Sequence, residues 1–486
     1  MTSTLTRRGF LTATAALAAT TALPRMGQAQ ESARRLIAAT RTLDINGKAA
    51  TVYGITGAGG RQGLILDPGE RFKLTLENAL DVETIIHWHG QIPPNSQDGV
   101  PDLPRPKLIP GETRDFDFEP LAGTHWMHSH VPIQEMNLLA APLVVRNAED
   151  IAEDRQEVVM FLHDFSFKDP QEILEEIAQD AGHGEMNAAS PDGMDHGGMD
   201  MGQMNMSDMA DMSTMAMDLN DFDFDAYLTN DRTLEDPEVV RVERGGRVKL
   251  RIINASSATS FWIDTGIEGR LVAVDGHKVV PLSGSRFGLA MGQRLDIDLD
   301  LPSEARAFPI LALREGERER TGLVLASSGV AVPQISSMAD TSSPAFDVDL
   351  SQEGQLRAIA PLPDRAVSKS QMVMLDGSMS PYVWTIDGRG WGEHRPIVAK
   401  SGERVELMFH NMSMMGHPMH LHGHAFQVVG VNARRFSGAV RDTVYVPPMA
   451  SVTIAIDAGE AARWMLHCHH MPHLSTGMMT EFQVEA

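Results

Sequence analysis

Two strand-like patterns recur three times in the same order along the 486 residues, and no other feature limits the possible folds so strongly. Gly-Glu-Arg-Phe-Lys-Leu-Thr-Leu-Glu-Asn at 69–78 is echoed by Gly-Gly-Arg-Val-Lys-Leu-Arg-Ile-Ile-Asn at 245–254 and by Gly-Glu-Arg-Val-Glu-Leu-Met-Phe-His-Asn at 402–411. Each is a turn glycine followed by period-2 alternation, as in a strand with one face in a core and the other in water. A second alternating pattern follows each copy, at 111–118, 292–299 and 450–456. Either echo alone is weak evidence, since short strands resemble one another. Two echoes in one order predict an all-β chain of three consecutive β-sandwich domains.

The expected domains span residues 36–147, 157–330 and 345–486, joined by an acidic stretch at 147–156 and a Ser/Thr/Asp-rich one at 334–344. Inside the second, a strand at 157–165 and a short helix at 170–181 precede an insertion at 183–218. Ten of the thirty methionines fall within residues 186–217, among Gly, Asp, Ser and Asn, with His183 and His196 close by. That composition lacks the apolar variety of a core and predicts a mobile loop. Thioethers are soft ligands that select Cu(I), so extra Cu(I) is an expected partner of this segment. A flexible, oxidation-prone loop with no ligand is the alternative.

Residues 1–29 read as an address. Thr6-Arg7-Arg8-Gly9-Phe10-Leu11 precedes a weakly apolar run, and Gly27-Gln28-Ala29 offers a small-residue cleavage site, so a twin-arginine signal peptide and a periplasmic location are expected. The run is too short for a membrane anchor. Its removal leaves 38 basic against 65 acidic residues, a formal charge of −27, which argues against nucleic acid as a partner. The single cysteine, Cys468, excludes an intramolecular disulfide, and ligation to a metal is a reason to keep one thiol in an oxidising compartment. The chain is expected to act as a monomer.

Cys468 lies in His467-Cys468-His469-His470-Met471-Pro472-His473, with Met478 ten positions beyond the cysteine. A thiolate, two imidazoles and a weak thioether form a blue-copper site, so a second imidazole has to come from elsewhere. On a strand, His467 and His469 point to one face and Cys468 to the other, which lets one peptide serve two centres. Three further clusters hold histidines: His87-Trp88-His89-Gly90, His125-Trp126-Met127-His128-Ser129-His130, and His417-Pro418-Met419-His420-Leu421-His422-Gly423-His424. Two clusters fall in the first copy and two in the third. A site that needs all four must sit where those copies meet, with the second copy as a spacer.

The strings His-Trp-His-Gly, Trp-Met-His-Ser-His, His-Pro-Met-His-Leu-His and His-Cys-His-x3-His-x4-Met resemble the four copper-binding motifs of the multicopper oxidases, the laccase-like family of three cupredoxin Greek-key domains. The resemblance spans nearly all of the mature chain except the Met-rich tract. It implies four copper ions: one type 1 ion on His417, Cys468 and His473 with Met478 axial, one type 2 ion on His87 and His420, and two type 3 ions on His89, His128, His469 and on His130, His422, His467. It implies one-electron oxidation of substrate coupled to reduction of O2 to water, with Cu(I) or small aromatic reductants, phenols and aromatic amines, as electron donors.

Asp98 matches the family's acidic residue beside the cluster and is the candidate for proton delivery; a turn residue before Gly99 is the alternative. Some copper-oxidising relatives carry Glu where this chain has Leu474, and an acidic residue where it has Ser413. Met414 and Met415 precede His417, where a substrate ion can hand over its electron. His125, His424 and His470 are expected to hydrogen-bond around the ligands, Trp88 and Trp126 to pack around the cluster, and His163, His277, His394 and His410 to be ordinary strand or loop residues. A copper-sequestering protein and a phenol-oxidising laccase without metal-oxidase activity are the competing readings.

Overall fold

The computed structural model describes residues 34–180, 219–347 and 349–486, so the stretch expected to be a signal peptide and the expected Met-rich insertion lie outside the described residues. Each pair of echoes forms the same paired strands. Phe72–Asn78 runs antiparallel to Thr113–Phe118, Arg247–Asn254 to Arg294–Asp300, and Arg404–Asn411 to Ser451–Asp457. On its other edge each central strand takes a parallel partner: Arg34–Ile45, Gln156–Phe165 or Lys369–Met379. That partner in turn pairs antiparallel with Lys48–Thr56, Ala226–Thr229 or Tyr382–Ile386. Burying alternate residues drives the pairing: Phe72, Leu74 and Leu76 go inward in the first unit, and Val405, Leu407 and Phe409 in the third. Each such side chain contributes about 1.5–3 kcal/mol.

The asparagine that closes every echo has a structural cause. Asn78, Asn254 and Asn411 are fully buried. Their Oδ1 atoms accept the N–H groups of Leu80, Ser256 and Ser413 at 3.0, 3.1 and 2.9 Å. Their Nδ2 atoms donate to carbonyls across the following turn, Val82 and Leu108, Thr259 and Leu289, and Met415, Val446 and Pro447. A fully bonded buried amide fixes the turn, because each orphaned group would cost about 1–3 kcal/mol. That turn aims the chain into the second sheet.

The second sheet of the first unit contains Ile86–His87 and Gly123–Ser129; that of the third contains His417–Leu421 and Arg463–Cys468. In the middle unit the two layers are one nine-stranded sheet. There the 14-residue strand Phe261–Val274 pairs with both layers, with a register shift between Asp264 and Gly269. Helix Pro170–Asp180 packs Ile173 and Ile177 into the third unit's core, which also contains Cys468, Met471 and Met478. No helix among the described residues is long and apolar enough to cross a membrane.

Candidate metal centres

The asparagine turns set the positions of the histidines. His87 and His89 follow Asn78 by nine and eleven residues, and His420 and His422 follow Asn411 by the same offsets. From Asn254 those offsets reach Ile263 and Thr265, so the middle unit keeps the scaffold without the imidazoles. Strand pairing then places His87 opposite His128, and His420 opposite His467.

Cys468 lies in a triangle with two imidazoles. Its Sγ is 3.7 Å from His417 Nδ1 and 3.6 Å from His473 Nδ1, and those nitrogens are 3.1 Å apart. Metal–ligand bonds of about 2.0–2.3 Å subtend edges of that size. All three residues are fully buried, as is Met478. The Met478 carbonyl accepts the Cys468 N–H and its own N–H donates to the His473 carbonyl, both at 3.1 Å. The His470 N–H donates to Cys468 Sγ at 3.5 Å, which favours a thiolate. Burial works the other way, pushing the thiol up and both imidazoles well below their usual range. A bound cation resolves that opposition, since ligation requires a thiolate and neutral rings.

On the opposite face of the same strand, His467 and His469 join a second constellation. Ligand atoms of His89, His128 and His469, of His130, His422 and His467, and of His87, His89 and His420 lie within 4.8 Å of one another in each group. Facing nitrogens are 3.1 Å apart for His422 and His467, and 3.4 Å apart for His87 with His420 and for His89 with His128. The outward nitrogens have acceptors: His87 Nδ1 the Asp98 carbonyl at 2.8 Å, His420 Nδ1 the Asp442 carbonyl at 2.9 Å, His467 Nδ1 the Cys468 carbonyl at 2.9 Å, and His422 Nδ1 the Asp98 carboxylate at 2.9 Å. A neutral imidazole has one N–H, and here it is used on the outside, so bare lone pairs face inward. Burial and neighbouring rings hold His128, His130, His422, His467 and His469 neutral. His130 Nε2 and His469 Nε2 have no hydrogen-bond partner among the described residues. Such a cage of converging lone pairs fits cations.

Family profiles described as Multicopper oxidase match residues 38–150, 161–330 and 364–486. The chain belongs to the multicopper oxidases. It is an oxidoreductase that uses copper. It is 28% identical over 417 residues to multicopper oxidase MmcO of Mycobacterium tuberculosis, covering 85% of this chain and 79% of that one. A copper resistance protein A homolog of Pseudomonas syringae pv. tomato is 25% identical, with 91% and 90% covered. Solved structures with this fold include a multicopper oxidase of Pseudomonas thermotolerans, at 23% identity and TM-score 0.66 over 93% of this chain and 98% of that one. Another is McoA of Aquifex aeolicus, at 21% and 0.67, with 94% and 96% covered.

Asp98 bridges two of the imidazole groups in this oxidase: Oδ2 reaches His422 Nδ1 at 2.9 Å, and Oδ1 lies 3.4 Å from His87 Nδ1. Gly99 has φ +93°, and a Cβ there would come within 1.9 Å of the Ile86 carbonyl oxygen. The Asp-Gly pair therefore serves the turn and the site together. His424 holds the His422 carbonyl at 3.0 Å, and His470 stacks on His473 at 3.9 Å. His125 departs from expectation. Its ring nitrogens have no hydrogen-bond partner among the described residues, and the ring packs over Gly90 and Gly276, where a Cβ would meet it at 2.4 and 2.5 Å. Trp126 stacks on His128 at 4.2 Å, whereas Trp88 points into the first unit's core against Phe72 and Phe116, because it alternates with His87 and His89.

Three buried carboxyl groups were not visible in the motifs. Asp442 Oδ1 lies 3.1 Å from His89 Nε2, and its carboxylate is bidentate with Arg294 of the middle unit. Burial alone would push this carboxyl up, but the guanidinium holds it well below the carboxylate range. The middle unit is therefore more than a spacer. Glu135, in the short helix Pro132–Met136, lies 2.7 Å from His128 Nδ1, and burial pushes its carboxyl well up. It puts an acid beside the cluster. Asp221 Oδ2 lies 3.5 Å from His473 Nε2 and accepts the Tyr382 hydroxyl. Ser413 is buried with its hydroxyl 2.8 Å from His417 Nε2, so it contacts the side of that imidazole turned away from Cys468.

Proposed function

We propose that this oxidase removes electrons from Cu(I), and also from phenols and aromatic amines, and uses them to reduce O2 to water, protecting a periplasm reached by the twin-arginine pathway. Four copper ions are assigned: type 1 on His417, Cys468, His473 and Met478; type 2 on His87 and His420; type 3 on His89, His128, His469 and on His130, His422, His467. When bound, copper supplies one-electron redox steps at the first site and a four-electron reduction site at the other three. Four Cu(I), one O2 and four protons give four Cu(II) and two waters.

The chain's own residues link these centres. Cys468 joins its Sγ through the backbone to His467 and His469, and the His467 Nδ1–H to Cys468 carbonyl bond shortens that connection. The ligands are all buried, with His130 the most open at 7% exposure, which limits the access of bulk water to the cluster. Asp98, between His87 and His422, is positioned to hold and pass on a proton.

The observation that carries the copper assignment is where the Met-rich tract is anchored. Its N-terminal flank, helix Pro170–Asp180, packs on the core that contains Cys468 and Met478, and its C-terminal flank carries Asp221 to His473. The two described flanks of the tract therefore both lie near His417, Cys468 and His473, and thioethers select Cu(I). Copper resistance protein A of Escherichia coli, 24% identical with 88% of each chain covered, supports the same reading. Deleting residues 186–217 should lower oxygen uptake with Cu(I) more than with a phenol. An equal fall, or a larger fall with the phenol, overturns the substrate assignment; absence of sustained uptake with Cu(I) points to copper storage instead.

A further inference from the structure

The outer face of the third unit's main sheet carries an unusual set of side chains. Lys369–Met379 pairs in parallel with Arg404–Asn411, with Met372 opposite Met408 and Met374 opposite His410. Alternation turns Val373, Leu375, Leu407 and Phe409 into the core and these four outward. The pattern continues past the strand, where Met412 and Met414 are exposed while Ser413 and Met415 are buried. Five thioethers and one imidazole thus line one solvent-facing stripe, with Met372 and Met414 each about half exposed, at 51% and 52%.

The first unit provides an internal comparison. Measured from the shared terminal asparagine, the four positions there are Arg35 opposite Thr75 and Ile37 opposite Glu77, and Arg35 forms a diagonal ion pair with Glu77. That is an ordinary charged sheet surface. The scaffold therefore does not demand methionine at these positions, and exposed thioethers gain nothing from burial.

We propose that Met372, Met374, Met408 and His410 form a binding site for Cu(I), and that Met412 and Met414 continue it past the end of that strand toward His417. Paired strands bring Met372 and Met408 to neighbouring positions about 4.8 Å apart in the sheet, and each side chain has three rotatable bonds with which to converge on one ion. Thioether and imidazole donors match a soft monovalent cation better than a hard divalent one; the nearby Asp387 carboxylate is engaged by the Met374 N–H at 2.8 Å. His410 is oriented for this role: Nδ1 is 2.7 Å from Ser451 Oγ, and Nε2 has no partner among the described residues. With Nδ1–H donating to the serine, the Nε2 lone pair faces solvent. The site rests on the cuprous-oxidase reading but is separate from the Met-rich tract.

Ag(I), a redox-inert probe with the same ligand preference, tests the site in the copper-loaded full-length protein. Native mass spectrometry against a fixed thioether competitor should show one fewer Ag(I) on M372L/M374L/M408L/H410N than on the parent. Ser451→Ala, which removes no ligand, should weaken Ag(I) binding about tenfold. In the parent protein with 13C-methyl methionine, Ag(I) should move the Met372, Met374 and Met408 resonances together and leave buried Met160 and Met291 unmoved. Equal stoichiometry in parent and variant, or fixed resonances at those three positions, overturns the site. Oxygen uptake separates the two levels of inference. If Cu(I) is not turned over but Ag(I) still binds the stripe, the substrate reading fails and the site stands. If Cu(I) turnover has the same KM in both proteins and Ag(I) binding is equal, the site fails and the substrate reading stands.

Discussion

Replacing Arg294 with Met tests the claim that the middle unit supports the cluster. Both Asp442 oxygens are bonded to the guanidinium, and Arg294 and Asp442 are buried. Without the guanidinium, Asp442 keeps the Thr443 hydroxyl at 2.8 Å and the His89 imidazole at 3.1 Å, too little to compensate a buried charge. Breaking such a pair costs about 3–5 kcal/mol, mostly from the stranded partner. The double variant R294M/D442L, which leaves no stranded charge, should cost less than R294M alone if the two positions repack.

The second effect of R294M is on metal. Asp442 orients His89 through its carboxylate and His420 through its carbonyl, and loss of such outer support lowers metal affinity about 10–100-fold. R294M should therefore lose copper first from the site of His89, His128 and His469, seen as a weaker near-ultraviolet type 3 absorption with the blue absorption kept. The sign with pH follows from the depressed Asp442 carboxyl: its stabilisation is present above the unfolded pKa and lost as pH falls through the folded one, so the gap between parent and R294M should narrow in acid. A destabilisation below about 1 kcal/mol, or a double variant as costly as the two single changes together, refutes the reasoning.

Cys468→Ser should abolish the blue absorption and substrate oxidation while circular dichroism stays that of the parent; a blue, active variant would overturn the type 1 assignment. Asn411→Ala strands the Ser413 N–H and the carbonyls of Met415, Val446 and Pro447 and should cost about 1–3 kcal/mol, with a shifted blue band because Ser413 contacts His417; an unchanged melting midpoint and spectrum would count against the turn's role. Burial pushes the Glu315 carboxyl from 4.5 up to about 7, against the opposing Phe346 N–H bond. A raised carboxyl stabilises below its unfolded pKa and loses that contribution as pH rises through the folded pKa, here about 3 kcal/mol between pH 4.5 and 7. Glu315→Gln should flatten that part of the stability–pH curve, and parallel curves for the two proteins would refute it.

Much of the scaffold is legible in the chain because its signals are local. The echoed strands, the glycines before them and the alternation that separates Cys468 from His467 and His469 all follow from period-2 geometry over a few residues. His125 and Trp88 show the limit of that reading. Each sits inside a histidine motif, yet packing against Gly276 in one case and against Phe72 and Phe116 in the other decided what it does.

The acids and the arginine around the centres carry no such local mark. Asp442, Glu135, Asp221 and Arg294 are common residue types in unremarked stretches, and each acquires its role from a partner in another unit or element, where burial makes one charge depend on the next. The sequence by itself determined which residues are candidates to bind copper and that Cys468 faces away from His467 and His469, because side-chain chemistry and strand alternation are local properties. Only the tertiary structure decided which imidazoles face one another, which carboxylates hold their outer nitrogens, and which methionines are left in solvent, because those depend on how distant units pack.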